Sequence, residues 1–243
     1  MPNPTAAILV IGDEILSGRT REGNAHYLAG ELTRAGIDLR EIRVVPDDHD
    51  GIAAAVNALR AAHDHLFTSG GIGPTHDDIT ADAVAAAFGV PIDVRADARA
   101  LMAAHYEARG VEFNAARMRM ARIPDGATLI ENPVSIAPGF TLGNVHVMAG
   151  VPNVFQAMVA SVLPTLTGGQ PLLSQSLRVM RPEGAVAEAL GALAAAHPGV
   201  SIGSYPFSQD GSYGTSLVVR GPVAAEVDAA MAAMSAAFAG APE

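Results

Sequence analysis

Residues 64–88, DHLFTSGGIGPTHDDITADAVAAAF, decide how the chain is read. The segment opens on the short strand-like run His65-Leu66-Phe67 and crosses a glycine-dense turn from Thr68 to Thr75. It then meets Asp77 and Asp78 just before a helical pattern begins at Ile79. A buried strand feeding such a turn and then a helix predicts an anion site, because glycines admit close backbone approach and helix-start N–H groups favour negative charge. Carboxylates on the same loop repel phosphate unless a metal or a proton intervenes. That conflict points to a cationic bridge between protein and phosphate.

Upstream, Ala6 to Ile11 is an unbroken apolar run, the signature of a strand in a parallel sheet covered on both faces, and it ends at Gly12-Asp13-Glu14. Asn24 is a candidate cap for a helix running through Leu28 and Leu32 to Gly36, and Ile37 to Val45 reads as a second strand delivering Asp47 and Asp48. A helix with Ile52, Val56 and Leu59 on one face leads into the quoted strand. Three successive strand ends thus carry acidic pairs. The strand–turn–helix period brings Asp13/Glu14, Asp47/Asp48 and Asp77/Asp78 to one crevice at the carboxyl edge of the sheet.

Downstream, helices are expected over 97–109, with Leu101, Met102 and His105 on the packing face, and over 113–121. A turn at Pro124-Asp125-Gly126, a short strand from Ala127 to Ile130, and a proline-constrained loop from Asn132 to Phe140 come next. A hairpin around Gly143-Asn144 leads to the strand Val145 to Met148, and Pro152 opens a helix from Asn153 to Leu163. The pattern changes near 167–171. This predicts an α/β domain over 1–168 and a small α+β domain over 169–243, of order β-α-β-β-α, with a turn at Gln209-Asp210-Gly211.

Composition removes several chemistries. No cysteine occurs, which excludes thiolate catalysis and disulfides, and all 15 basic residues are arginine, which excludes a Schiff-base or phosphate-loop lysine. A net charge of −10 makes nucleic acid a poor partner, although Arg117, Arg119 and Arg122 form one short cationic cluster. No charge-free apolar stretch is long enough for a membrane span, and the N-terminal segment lacks a basic region like that of a signal peptide, so no membrane partner and a cytoplasmic location are expected.

The motifs together carry a resemblance. Gly12-Asp13-Glu14-Ile15-Leu16-Ser17-Gly18, Asn24, Val45-Pro46-Asp47, Thr68 to Thr75 with Asp78 and Thr80, Asn132-Pro133 with Ala137-Pro138-Gly139-Phe140, and Gly150-Val151-Pro152 span residues 7–165. In this order they resemble the molybdopterin-binding domain family and, within it, short free-standing relatives of the competence/damage-inducible CinA proteins. Ile202 to Phe207 is similar to a segment of the second domain of those proteins and of eukaryotic FAD synthases. The resemblance implies a three-layer α/β/α domain with a mostly parallel sheet, a pterin or nucleotide ligand at its carboxyl edge, and a dimer or trimer. It implies two functions of different class: hydrolysis of the pyrophosphate of ADP-ribose or FAD with magnesium, manganese or cobalt, or binding of molybdopterin or a nucleotide without chemistry. The chain departs from the family pattern at Ser135, where glycine is usual, at Ala149, where proline is usual, and at Asn153-Val154-Phe155, which lacks the usual acid.

On this resemblance Asp47 and Asp78 are the expected catalytic carboxylates and, with Asp13, the expected metal ligands. Gly70, Gly71 and Gly73 would hold the diphosphate, with Thr68, Ser69 and Thr75 as hydroxyl donors and Pro74 shaping the turn. Gly12, Asp13 and Glu14 line the first strand end. Asn132, Pro138, Gly139, Gly150 and Pro152 would shape the nucleoside or pterin pocket.

Overall fold

The computed structural model describes residues 2–209 and 211–239. The apolar run forms β1 (Thr5–Ile11), and its alternating side chains enter two different cores: Ala7, Leu9 and Ile11 face one, and Ala6, Ile8 and Val10 the other. A strand buried on both faces has no polar side to alternate with, which is why it reads as continuous hydrophobicity. After it come a single helical turn α1 (Asp13–Leu16), α2 (Asn24–Ala35), β2 (Asp38–Val45), α3 (His49–Ala62) and β3 (His65–Ser69).

Next are α4 (Thr80–Phe88), β4 (Ile92–Val94), α5 (Ala96–Ala108), α6 (Ala115–Arg119), β5 (Arg122–Pro124), β6 (Thr128–Ile130), β7 (Gly139–Leu142), β8 (Val145–Met148) and α7 (Pro152–Val162). The six-stranded sheet has the order β2-β1-β3-β8-β7-β6. Its first four strands are parallel, and the two last pairings are antiparallel. One face is covered by Ala25, Leu28 and Leu32 of α2 and by Phe155, Met158 and Val159 of α7. The other is covered by Ile52, Val56 and Leu59 of α3, Val84 of α4 and Met102 of α5. This is the expected three-layer arrangement. Each fully buried large side chain, such as Phe67 or Phe155, contributes about 2–3 kcal/mol.

Several local expectations shift. Asn24 does not cap α2: Gly23 holds the cap position, and the Asn24 side chain turns across the fold. Leu101 is exposed, and α5 packs through Ala98 and Met102. The expected 113–121 helix shortens to α6 because the Asn114 side chain accepts from Arg117 N and starts it there.

The chain divides into two compact units, Met1–Gly169 and Gln170–Glu243. The second contains β9 (Leu173–Val179), α8 (Glu183–Ala196), β10 (Ser201–Gln209), β11 (Ser212–Gly221) and α9 (Ala224–Phe238), with its antiparallel sheet in the order β10-β11-β9. Val186 and Leu190 of α8, Leu217 and Val219 of β11, and Val227, Met234 and Phe238 of α9 form its own core. Asp210, within the expected turn, lies outside the described residues. Among the described residues no helix is long and apolar enough to cross a membrane.

Candidate functional site

The carboxyl ends of β1 and β3 meet with unusually little space between them. A Cβ on Gly70, whose φ is +110°, would fall on the Ile11 carbonyl oxygen. A Cβ on Gly71, at φ +68°, would fall on Thr80 Oγ1. Only glycine lets the turn sit this low in both conformation and space. Thr80 then pins it: its hydroxyl donates to Gly70 O at 3.0 Å and its N–H to Gly71 O at 3.0 Å. The first N–H of α4 is therefore engaged by the turn itself.

Above this turn lies a cleft of about 550 Å³. Its floor and sides include Ile11, Ile72, Met120 and Val154, and its polar wall is built from the glycine turn and Asn132. Four carboxylates line it: Glu14, Asp47, Asp77 and Asp78. Burial raises the Asp47 pKa above its ordinary value, opposed by the hydrogen bond from Asp13 N at 3.0 Å and reinforced by the negative charges of Asp13, Glu14 and Asp77. Asp78 Oδ2 accepts from Thr75 N at 2.8 Å and from the Thr75 hydroxyl, which folds the carboxylate under Gly73.

The three acidic pairs converge, though unequally. Asp48 leaves the group, because its carboxylate caps α3 by accepting from Gly51 N at 2.7 Å. Asp13 is exposed and contributes its backbone N–H to Asp47, without lining the cleft. Of the other expected ligand contacts, Gly12, Glu14, Gly70, Gly71 and Gly73 line the cleft, as do Pro74, Asn132, Gly150 and Pro152. Thr68, Ser69, Thr75, Pro138 and Gly139 lie off its wall. Thr68 is fully buried within the sheet, and Gly139 is buried where its strand runs against Val147 O. Ser69 accepts a hydrogen bond from Asn24, and Pro138 lines a narrow side cleft.

The Asn132 loop owes its shape to one amide. Asn132 Nδ2 donates to Ser135 Oγ at 2.6 Å and Ala137 O at 2.8 Å, while Oδ1 accepts from Val134 N and Ser135 N, both at 3.1 Å. Thr20, Met120 and Ser135 also line the cleft. Motif reading missed Thr20 as a contact, because nothing in its spacing relates it to the glycine turn. Met120 falls in the stretch expected as the 113–121 helix, where a thioether at helical spacing carries no mark of a ligand wall.

Among the described residues no three carboxylate or imidazole side chains form a group able to hold a metal ion. The donor chemistry of the cleft fits a hard cation shared between one or two carboxylates and a ligand's phosphates, which is how magnesium is commonly held. Asp47 and Asp78 both line the cleft and would be the residues to hold such an ion, whose chemistry there would be neutralisation of phosphoryl charge.

Comparison with known proteins agrees with this architecture. The chain is 39% identical over 209 residues to a CinA-like protein of Desulfosudis oleivorans, covering 82% of this chain and 51% of that protein. It thus spans about half the length of that relative. A protein of Pyrobaculum calidifontis is 36% identical over 212 residues, covering 84% of this chain and 81% of its own length. The crystal structure of a CinA protein of unknown function from Thermoplasma acidophilum superposes with a TM-score of 0.62 at 34% identity, covering 67% of this chain and 97% of that one. Residues 171–241 match the FAD synthase middle domain. Residues 7–168 match the family described as "Probable molybdopterin binding domain", and the chain belongs to that family.

Proposed function

We propose that the chain binds a phosphorylated pterin or nucleotide-type ligand, of the molybdopterin class, in the cleft at the carboxyl edge of its larger sheet. The observation that carries this reading is the cleft itself. It combines a glycine turn open to close backbone approach with apolar walls at Ile72, Met120 and Val154, the mixture that a flat heterocycle bearing a phosphate requires. Family membership supports it.

A second reading is favoured by the carboxylates. Glu14, Asp47, Asp77 and Asp78 around one cleft repel a phosphate, and a divalent cation carried in with the ligand resolves the conflict. On this reading the protein hydrolyses a nucleotide pyrophosphate such as ADP-ribose or FAD. A water oxygen attacks one phosphorus, the bridging P–O bond breaks, and ADP-ribose yields AMP and ribose 5-phosphate. Magnesium, manganese or cobalt would supply charge neutralisation. The chain's own residues would orient the diphosphate on the glycine turn and receive the water's proton at a carboxylate.

Calorimetric titration with molybdopterin, ADP-ribose and FAD, run with each metal, tests both. Saturable binding without release of AMP supports the binding reading alone. Metal-dependent AMP release, abolished in Asp78→Asn, establishes the hydrolase. Absence of heat with every ligand would sink both.

A further inference from the structure

Arg117, Arg119 and Arg122 are the chain's densest cationic cluster, and the fold separates their fates. Arg117 lies over the Tyr106 ring at 4.9 Å and donates to Glu112 O. Arg122 is held by both oxygens of Asp82, at 2.8 and 2.6 Å. Arg119 has no such partner. Its Nη2 reaches Asp78 O at 3.5 Å, the limit of a hydrogen bond, and its Nε is sequestered from solvent with no acceptor. A guanidinium N–H held in this way is an unfavourable arrangement that an incoming acceptor relieves.

Arg119 stands at the border of the main cleft. It lines the narrow side cleft with Pro138 and Phe140, and this cleft shares Ile72, Gly73, Asp78 and Met120 with the main one. Every charged side chain on the main cleft wall is negative. Thr75 holds the Asp78 carboxylate under the glycine loop, so Arg119 meets the Asp78 carbonyl and its charge stays available. Accepting the reading of the cleft as a site for a phosphorylated ligand, we propose that Arg119 is its phosphate-recognising residue. On binding, the guanidinium leaves the Asp78 carbonyl and pairs through Nε and Nη2 with two oxygens of a ligand phosphate beside Gly73. The planar fork suits two phosphate oxygens at once, whereas a lysine ammonium offers a point charge.

The test uses the full chain with pyrophosphate and AMP as probes. Calorimetry compares the wild type with Arg119→Gln and Arg119→Lys, and the Arg119 Nε–H signal is followed by NMR in arginine-labelled wild type, assigned by its loss in Arg119→Lys. The expected result is a tenfold or greater loss of affinity for both probes in Arg119→Gln, partial recovery in Arg119→Lys, and a shift of the wild-type Nε–H signal on adding pyrophosphate. Wild-type affinity in Arg119→Gln, or an Nε–H signal that pyrophosphate leaves unmoved while binding is measured, overturns the role of Arg119 and leaves the ligand class standing. If neither probe binds the wild type, both readings fall together. The signal shift is read on the wild type alone, and the conservative Arg119→Lys serves to assign it.

Discussion

Asn24 Nδ2 donates to the Ser69 hydroxyl at 2.8 Å and, from the same nitrogen, to the Gly150 carbonyl at 2.8 Å. One side chain from the first turn of α2 thereby ties the end of β3 to the turn before α7, whose Gly150 lines the cleft. Both Asn24 and Ser69 are buried, so water does not replace a lost bond. Asn24→Ala should cost about 1–3 kcal/mol, the penalty for unsatisfied buried groups. Asn24→Asp should cost more, because a carboxylate oxygen then faces the Gly150 carbonyl. Urea denaturation of the three proteins checks the order, and equal midpoints for wild type and Asn24→Ala would show that the tie is dispensable.

Gly70 and Gly18 both sit at positive φ, +110° and +73°, yet they should respond differently to alanine. At Gly70 the new methyl meets the backbone oxygen of Ile11, which cannot swing aside without pulling β1. At Gly18 it meets nothing within 4 Å. Gly18→Ala should therefore lose only the backbone penalty of about 1–2 kcal/mol. Gly70→Ala should lose clearly more and abolish ligand binding. Comparable melting temperatures for the two would mean that the close approach of β1 and β3 is not required.

How far these features could be read from the residues depends on how local their causes are. β1 was legible because burial on both faces leaves an unbroken apolar run, and the acidic pairs were legible because each follows a strand. What separates Asp47 from Asp48 was not, since adjacent side chains diverge and only the start of α3 reveals that Asp48 is its cap. The Asn24 tie crosses 126 residues to Gly150, and its helix-start position suggested a cap instead. Arg119 stood in a cluster whose other members found partners, a distinction that depends on which carboxylate or ring each guanidinium reaches.

His146 packs between Phe67, at a ring separation of 4.9 Å, and Thr141, whose hydroxyl lies 3.0 Å from Nδ1. Its Nε2 lies 3.3 Å from Nδ1 of His65, so one proton between the two rings satisfies both. Burial, and secondarily the neighbouring His65, pushes the His146 pKa down to about 3. The unfolded chain titrates near the ordinary value of about 6.5, so protons favour the unfolded state below that pH. This contribution to stability is complete above about pH 6.5 and declines as the pH falls towards 3, by up to about 1.4 kcal/mol per pH unit. His65 is lowered in the same direction by burial. Denaturant midpoints measured from pH 7.5 to 4.5 should fall more steeply for the wild type than for His146→Phe. Parallel profiles would place the acid sensitivity elsewhere.

Asn132 makes four hydrogen bonds within the loop that presents Ser135 and Ala137 to the cleft, and the loop includes Ile136 at φ +68°. A non-glycine residue in that conformation is strained, and the Asn132 amide, buried to 4% exposure, supplies the bonds that hold the turn around it. Asn132→Ala should therefore release the loop as well as cost about 1–3 kcal/mol of stability. Asn132→Asp keeps the acceptor for Val134 N and Ser135 N but opposes a carboxylate oxygen to the Ala137 carbonyl, so it should retain the first half of the turn and lose the second. Ser135→Gly removes the hydroxyl that Nδ2 reaches and relaxes a turn that needs no other side chain there. Its loss should be the smallest of the three. Limited proteolysis across residues 133–137, read beside ligand affinity, distinguishes a shaped loop from a passive one. Cleavage and affinity loss should rise together in the order Ser135→Gly, Asn132→Asp, Asn132→Ala, and affinity that stays constant while cleavage rises would show that the loop does not contact the ligand.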